Sequence, residues 1–120
     1  MRLTRLNLGK FGEDIASQFL VSHGYQILSR NWRSDRVELD IIARDAHTIV
    51  FCEVKTRQSA TYGLPAEAIT RVKRSNLRRA ALLWLSSNSE SRAPIRFDVI
   101  AITLDDQSAP HITHIKGIDV

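Results

Sequence analysis

A chain of 120 residues, 43% apolar and 25% charged, has the length and make-up of one domain, residues 1–120, with a core of its own. Its single cysteine, Cys52, excludes an internal disulfide and a cysteine-built zinc site, and suits a reducing cytoplasm. No apolar run reaches the ~18 residues of a membrane span, and Met1–Lys10 lacks the apolar stretch of a secretory signal.

The net charge of +4 leans toward a polyanionic partner, although a solubilising surface explains it equally well. Asn7–His23 reads as a helix, because Leu8, Phe11, Ile15 and Phe19 recur at spacings of three and four, with Gly12, Ala16 and Leu20 beside them. Asn7 suits its N-cap, and Gly24 suits the residue after its C-cap. A strand is expected over Tyr25–Trp32, a polar link over Arg33–Arg36, and a second strand over Val37–Ala43. Arg44–His47 makes a turn into a third strand, Thr48–Arg57, rich in β-branched and aromatic residues. So short a turn makes strands two and three antiparallel neighbours.

Gln58–Pro65 is a loop, Ala66–Leu85 a second helix, and Ser86–Pro94 a loop dense in Ser and Asn. Ile95–Leu104 and His111–Lys116 are the last strands. Phe97–Ile102 follows a helix, so it can pair parallel with an earlier strand through that crossover. The expected fold is α/β in the order α-β-β-β-α-β-β, a central mixed sheet flanked by helices.

Strands two and three carry charges inside apolar surroundings. Glu38 and Asp40 share a face by period two, as do Glu53 and Lys55, with Cys52 and Val54 opposite. Such charges are costly unless paired, metal-bound or at the open end of a sheet. Counting from a turn centred on Asp45 and Ala46, Asp40 lies five or six residues back and Glu53 seven or eight forward. Direct opposition then requires a bulge or a longer turn. Two carboxylates at one place suit a hard cation such as Mg²⁺, with the Val54 carbonyl as a further ligand. Lys55 would stand near the attacking water. Solvated charges that pair with each other at strand ends fit the same spacing.

Asp40, a gap of twelve residues, then Glu53-Val54-Lys55 resembles the PD-(D/E)xK motif of restriction-endonuclease-like nucleases. Gly12-Glu13 and Ala16 on the preceding helix, with Gly24-Tyr25, look like the pattern of archaeal Holliday-junction resolvases. The chain as a whole most resembles the YraN-type family of bacterial proteins. That likeness rests on Gly12-Glu13, Gly24-Tyr25, Arg30-Asn31, Glu38 to Ile42, Phe51 to Lys55 with Arg57, Tyr62-Gly63, Lys73 and Arg96 to Val99. The resemblance implies a restriction-endonuclease-like core and a metal site of Asp40, Glu53 and Val54 that Glu13 joins. The family pattern has Gly just before the Glu-x-Asp, where this chain has Val37. By geometry alone Glu13 lies at the edge of its helix's apolar stripe, a position an ordinary solvated glutamate also takes.

The inward stripe of the second helix reads Ala66, Ile69, Val72, Leu77, Ala80, Leu83 and Trp84, with Lys73 near its middle and Asn76 beside it. A lysine there either snorkels outward or faces a polar cavity, and one holding Glu53 and Asp40 would supply its partner. Arg71, Arg74 and Arg78 share an outward face with no acid between Glu67 and Glu90, which suits phosphate contacts. Arg57, Arg30, Arg33 and Arg36 extend that surface, and Tyr62 or Trp32 offers a ring for stacking. Asp98, His111, His114 and Cys52 are expected to be structural or superficial.

The expectation is therefore a Mg²⁺-dependent (or Mn²⁺-dependent) endonuclease acting on DNA, branched or structured DNA included. In it Asp40, Glu53, Lys55, Glu13 and Lys73 form the site. The alternatives are a nucleic-acid-binding module of the same fold without turnover, and an interaction protein whose charges only brace the sheet. No membrane contact is expected. Cutting two strands commonly takes two sites, which leaves room for a homodimer, though no residue of the sequence gives an interface.

Overall fold

The computed structural model describes residues 4–58, 70–88, 92–105 and 108–120. Its elements are α1 (Arg5–Ser22), β1 (Gln26–Ser34), β2 (Val37–Asp45), β3 (Thr48–Arg57), α2 (Arg71–Ser87), β4 (Ile95–Asp105) and β5 (Ser108–Ile115). The expected order and class hold. The sheet runs β1-β2-β3-β4-β5. Its hairpin partners are antiparallel, and β3 pairs parallel with β4 through the α2 crossover, as the apolar strand after a helix implied.

Each face of the sheet carries one helix. Ile49 and Phe51 of β3 pack with Leu77, Ala80, Ala81, Trp84 and Leu85 of α2. Val50 and Cys52, the alternate residues, pack with Ala16 and Leu20 of α1. Among the described residues no helix is long and apolar enough to cross a membrane.

The helix details differ from the sequence reading. Thr4, not Asn7, caps α1: its Oγ1 accepts the Asn7 N–H at 3.2 Å. Gly24, at φ 89°, ends it as expected. The buried line of α1 is Gly12, Ala16 and Leu20, while Phe11 is 45% exposed. Small residues let this helix lie close to the sheet, which moves the stripe off its larger side chains. Thr70 is extended and accepts the Lys73 N–H at 3.1 Å, so α2 starts at Arg71. Ala66 and Ile69 fall outside the described residues. Val72, assigned to the inward stripe, is 70% exposed, and Ala81 and Leu85 take the buried positions instead.

The β2–β3 turn is centred on Ala46 and His47, one residue later than the sequence count assumed. Asp45 pairs with Thr48, and Ala46 takes φ 55°. That register runs from Asp45↔Thr48 to Ile41↔Cys52 and brings Asp40 and Glu53 to the next step, where the ladder ends.

Candidate active site

The pairs joining β2 to β3 end at Ile41↔Cys52. At the next position the Asp40 side chain takes over, its Oδ2 accepting the Val54 N–H at 2.9 Å. Side-chain alternation also slips here. Leu39 packs on the α2 side of the sheet and Ile41 on the α1 side, although residues two apart on a regular strand share a face. Asn31, which lies between the pairs Arg30↔Ile41 and Trp32↔Leu39, has φ 53°. The β1–β2 ribbon thus turns at the level of Asp40, and unbroken period two from Glu38 to Ile42 does not hold. Both acids still border one cleft.

Glu53 is buried, its side chain 4% exposed, and two ammonium groups converge on Oε1: Lys73 Nζ at 2.8 Å and Lys55 Nζ at 3.6 Å. Lys73 therefore faces the polar pocket that helical geometry suggested. Burial opposes the charge on Lys73, but the hydrogen bond to Glu53 and the charges of Glu53, Asp40 and Glu38 outweigh it and hold its pKa above the ordinary lysine value. Burial, followed by the charge of Glu53, pushes Asp40 up to about 7. Glu13 adds to that push, while the Val54 N–H and Lys73 work against it.

Glu13 comes in on α1. A Cβ built on Gly12 would overlap Thr56 of β3, so only glycine lets the helix lie this close. Burial raises the Glu13 carboxyl, against the Asn31 hydrogen bond and Arg30, and with further upward pushes from Glu38 and Asp14. Among the described residues, no three His, Cys, Asp or Glu side chains gather closely enough to form a ready metal cage. Glu13 thus influences Asp40 through its charge rather than as part of a three-carboxylate set. Asp40 and Glu53 nevertheless suit a Mg²⁺-sized cation, which needs only one or two carboxylates and keeps its waters. A cation between them would relieve the repulsion that raises Asp40.

Two open clefts flank this place. One, of about 1070 Å³, is lined by Glu13, Asp40, Arg30 and Asn31 among others. The other, of about 540 Å³, is lined by Lys73, Asn76, Arg36 and Leu77 among others. Arg33 and Glu38, paired at 3.0 Å, border both.

The expected basic surface is only partly assembled. Arg71 and Arg78 are exposed on the outer face of α2. Arg74 instead donates to the Asp119 carbonyl at 2.9 Å. Arg57 donates from Nε to Thr103 Oγ1 at 3.3 Å, beside β4. Arg30 pairs with Asp14 at 2.7 Å, and Arg79 with Asp35 at 2.6 Å. Trp32 packs against the α2-side core, and Tyr62 lies outside the described residues.

Sequence reasoning missed a second polar cluster. Fully buried Asp98 accepts from Arg96 Nε at 2.9 Å, Arg96 Nη2 at 3.0 Å and the Gly117 N–H at 3.0 Å, and lies 2.7 Å from His114 Nε2. Arg96 also reaches Asp45 at 3.2 Å and Tyr25 at 2.8 Å. His114 is therefore not a surface residue: its side chain is 9% exposed. The Arg-x-Asp spacing of Arg96 and Asp98 on one strand was its one visible signal. Cys52 is buried as expected, and burial pushes its thiol pKa up, which leaves it inert.

The model of Uncharacterised protein family UPF0102 matches residues 12–102. The span takes in Gly12, Glu13, Asp40, Glu53, Lys55, Lys73 and Asp98. A UPF0102 protein of Nocardia farcinica is 47% identical over 111 residues, 92% of this chain and 87% of that protein. One from Mycobacterium ulcerans is 46% identical over 118 residues, 97% of each. One from Parafrankia sp. is 43% identical over 117 residues, 98% of each. The chain belongs to the UPF0102 family.

Proposed function

We propose that the chain is a Mg²⁺-dependent or Mn²⁺-dependent endonuclease that hydrolyses phosphodiester bonds in DNA, branched or structured DNA included. The observation that carries this reading is the meeting of Asp40 and Glu53 where the β2–β3 ladder ends, with the ammonium groups of Lys55 and Lys73 on Glu53. Asp40, Glu53 and the Val54 carbonyl would hold the cation, with Glu13 assisting from α1. When bound, the cation polarises the phosphodiester and acidifies a water. Lys55, 38% exposed, reaches from Glu53 toward solvent and can orient the attacking water. Lys73 offers positive charge to the phosphate as its own charge grows in the transition state. The Val54 N–H fixes the Asp40 carboxylate, so its orientation need not be organised during the reaction.

A second reading, a nucleic-acid-binding module without turnover, draws on one observation. Glu53 already has an ammonium partner at 2.8 Å, which satisfies its charge without a metal.

The deciding experiment incubates the chain with duplex, single-stranded and four-way-junction DNA, with Mg²⁺, Mn²⁺ or chelator. Asp40→Asn and Lys55→Ala run in parallel. Metal-dependent cleavage that falls by a factor on the order of 100 or more in both variants supports the nuclease. Cleavage unchanged in the variants would come from a contaminant and would sink it. Steeply salt-dependent binding with no cleavage favours the second reading.

A further inference from the structure

The hairpin between β1 and β2 turns on two residues, Asp35 and Arg36, with φ of 45° and 67°. Both are left-handed, a pairing that hairpin turns normally assign to Asn-Gly or Asp-Gly. Arginine at the second position carries a steric cost that glycine would not. The turn is nevertheless tied to α2. Arg79 of α2 donates through Nη2 to the Asp35 carboxylate at 2.6 Å and to its carbonyl at 3.3 Å.

Arg36 is exposed, and among the described residues no carboxylate is paired with it. It borders the cleft of about 540 Å³ that Lys73 also lines. Lys73 connects that cleft to the candidate site, since its ammonium rests on Glu53. The two carboxylates bordering the cleft are already engaged, Asp35 by Arg79 and Glu38 by Arg33. The neighbouring cleft differs in sign: Glu13, Asp14, Glu38 and Asp40 line it against Lys10, Arg30 and Arg33. An anionic chain leaving the site is therefore drawn to the α2 side.

We propose that this cleft holds the phosphodiester backbone of the strand that enters the Asp40–Glu53 site, with Arg36 contacting a phosphate that flanks the reacting one. The strained turn keeps arginine rather than glycine for that contact. The inference rests on the nuclease reading. It adds a strand direction and a binding residue that the catalytic chemistry does not use.

The test measures binding of a labelled DNA by fluorescence anisotropy across a salt series, in chelator so that nothing is cut. It compares the full chain with Arg36→Gly and Arg36→Asn. Glycine and asparagine both tolerate the left-handed conformation, and neither carries charge. Both should weaken binding about tenfold, whatever the base sequence, and lower the slope of log affinity against log salt by about one. Both should melt a few degrees higher than the wild type, because the strain is relieved. Unchanged affinity and slope, in a wild type that binds, would overturn this inference and leave the nuclease reading standing. Loss of affinity accompanied by a lower melting temperature would also overturn it, by making Arg36 structural. A wild type that binds no DNA at low salt would remove both readings.

Discussion

At the scale of single residues, the decisive feature is where charge is held away from water. Asp40 is the clearest case, with burial and Glu53 raising its pKa to about 7. A carboxyl raised on folding contributes stability that is complete below its unfolded value of about 4 and is lost as pH rises through about 7. The metal-free wild type should therefore melt lower at pH 8 than at pH 5. Asp40→Asn, which retains an oxygen for the Val54 N–H, should show much less of that fall. Thermal melts of both proteins at the two pH values check this, and an equal fall in both would refute it. Lys73→Met should cost about 1–2 kcal/mol in urea unfolding, because among the described residues it leaves buried Glu53 with Lys55, at 3.6 Å, as its ammonium partner. The residue types at this site were legible from sequence, since acids inside apolar strands stand out. Their register was not, because the turn centre was placed one residue early. The Asp45↔Thr48 pair and the left-handed Ala46 fix the turn, and composition gives no warning of an alanine there.

At the scale of elements, α1 is positioned by its smallest residue. Gly12→Ala would drive a methyl into Thr56 and lift the helix that carries Glu13. A loss of roughly 1–3 kcal/mol is expected by denaturant titration. Thr56→Ala in the same chain should restore part of that loss, and failure to do so would place the cost elsewhere. Thr70→Ala, which removes the Oγ1 cap on the Lys73 N–H, should cost about 1 kcal/mol. Helix existence was legible from periodicity, but the buried face was not. Periodicity ranks residues by size, and so it favoured Phe11 and Val72, both exposed, over the buried Gly12, Ala16 and Ala81. Close packing of helix on sheet rewards small side chains, which a hydrophobic count undervalues.

At the scale of the whole molecule, element order and the parallel β3–β4 pair followed from the crossover rule. The Asp98 cluster did not. Its partners Tyr25, Asp45, Arg96, His114 and Gly117 are scattered along the chain and meet only when every strand is in place. Burial works against the Asp98 charge, but hydrogen bonds from His114, Arg96 and the Gly117 N–H prevail and lower its pKa. A lowered carboxyl contributes stability above its unfolded value of about 4 and loses it as pH falls through the folded value. Asp98→Asn should thus cost roughly 3 kcal/mol near neutral pH, and the difference should shrink as pH falls below the unfolded value of about 4, in urea titrations across that range.

On the proposed reading, Asp40 and Glu53 together form a metal centre. Isothermal calorimetry with Mn²⁺, free of DNA, tests it most directly. A saturable site is expected in the wild type that disappears in Asp40→Asn and in Glu53→Gln, with both variants still folded by circular dichroism. Binding that survives unchanged in both variants, or a wild type that takes up no Mn²⁺ at millimolar concentration, would contradict it.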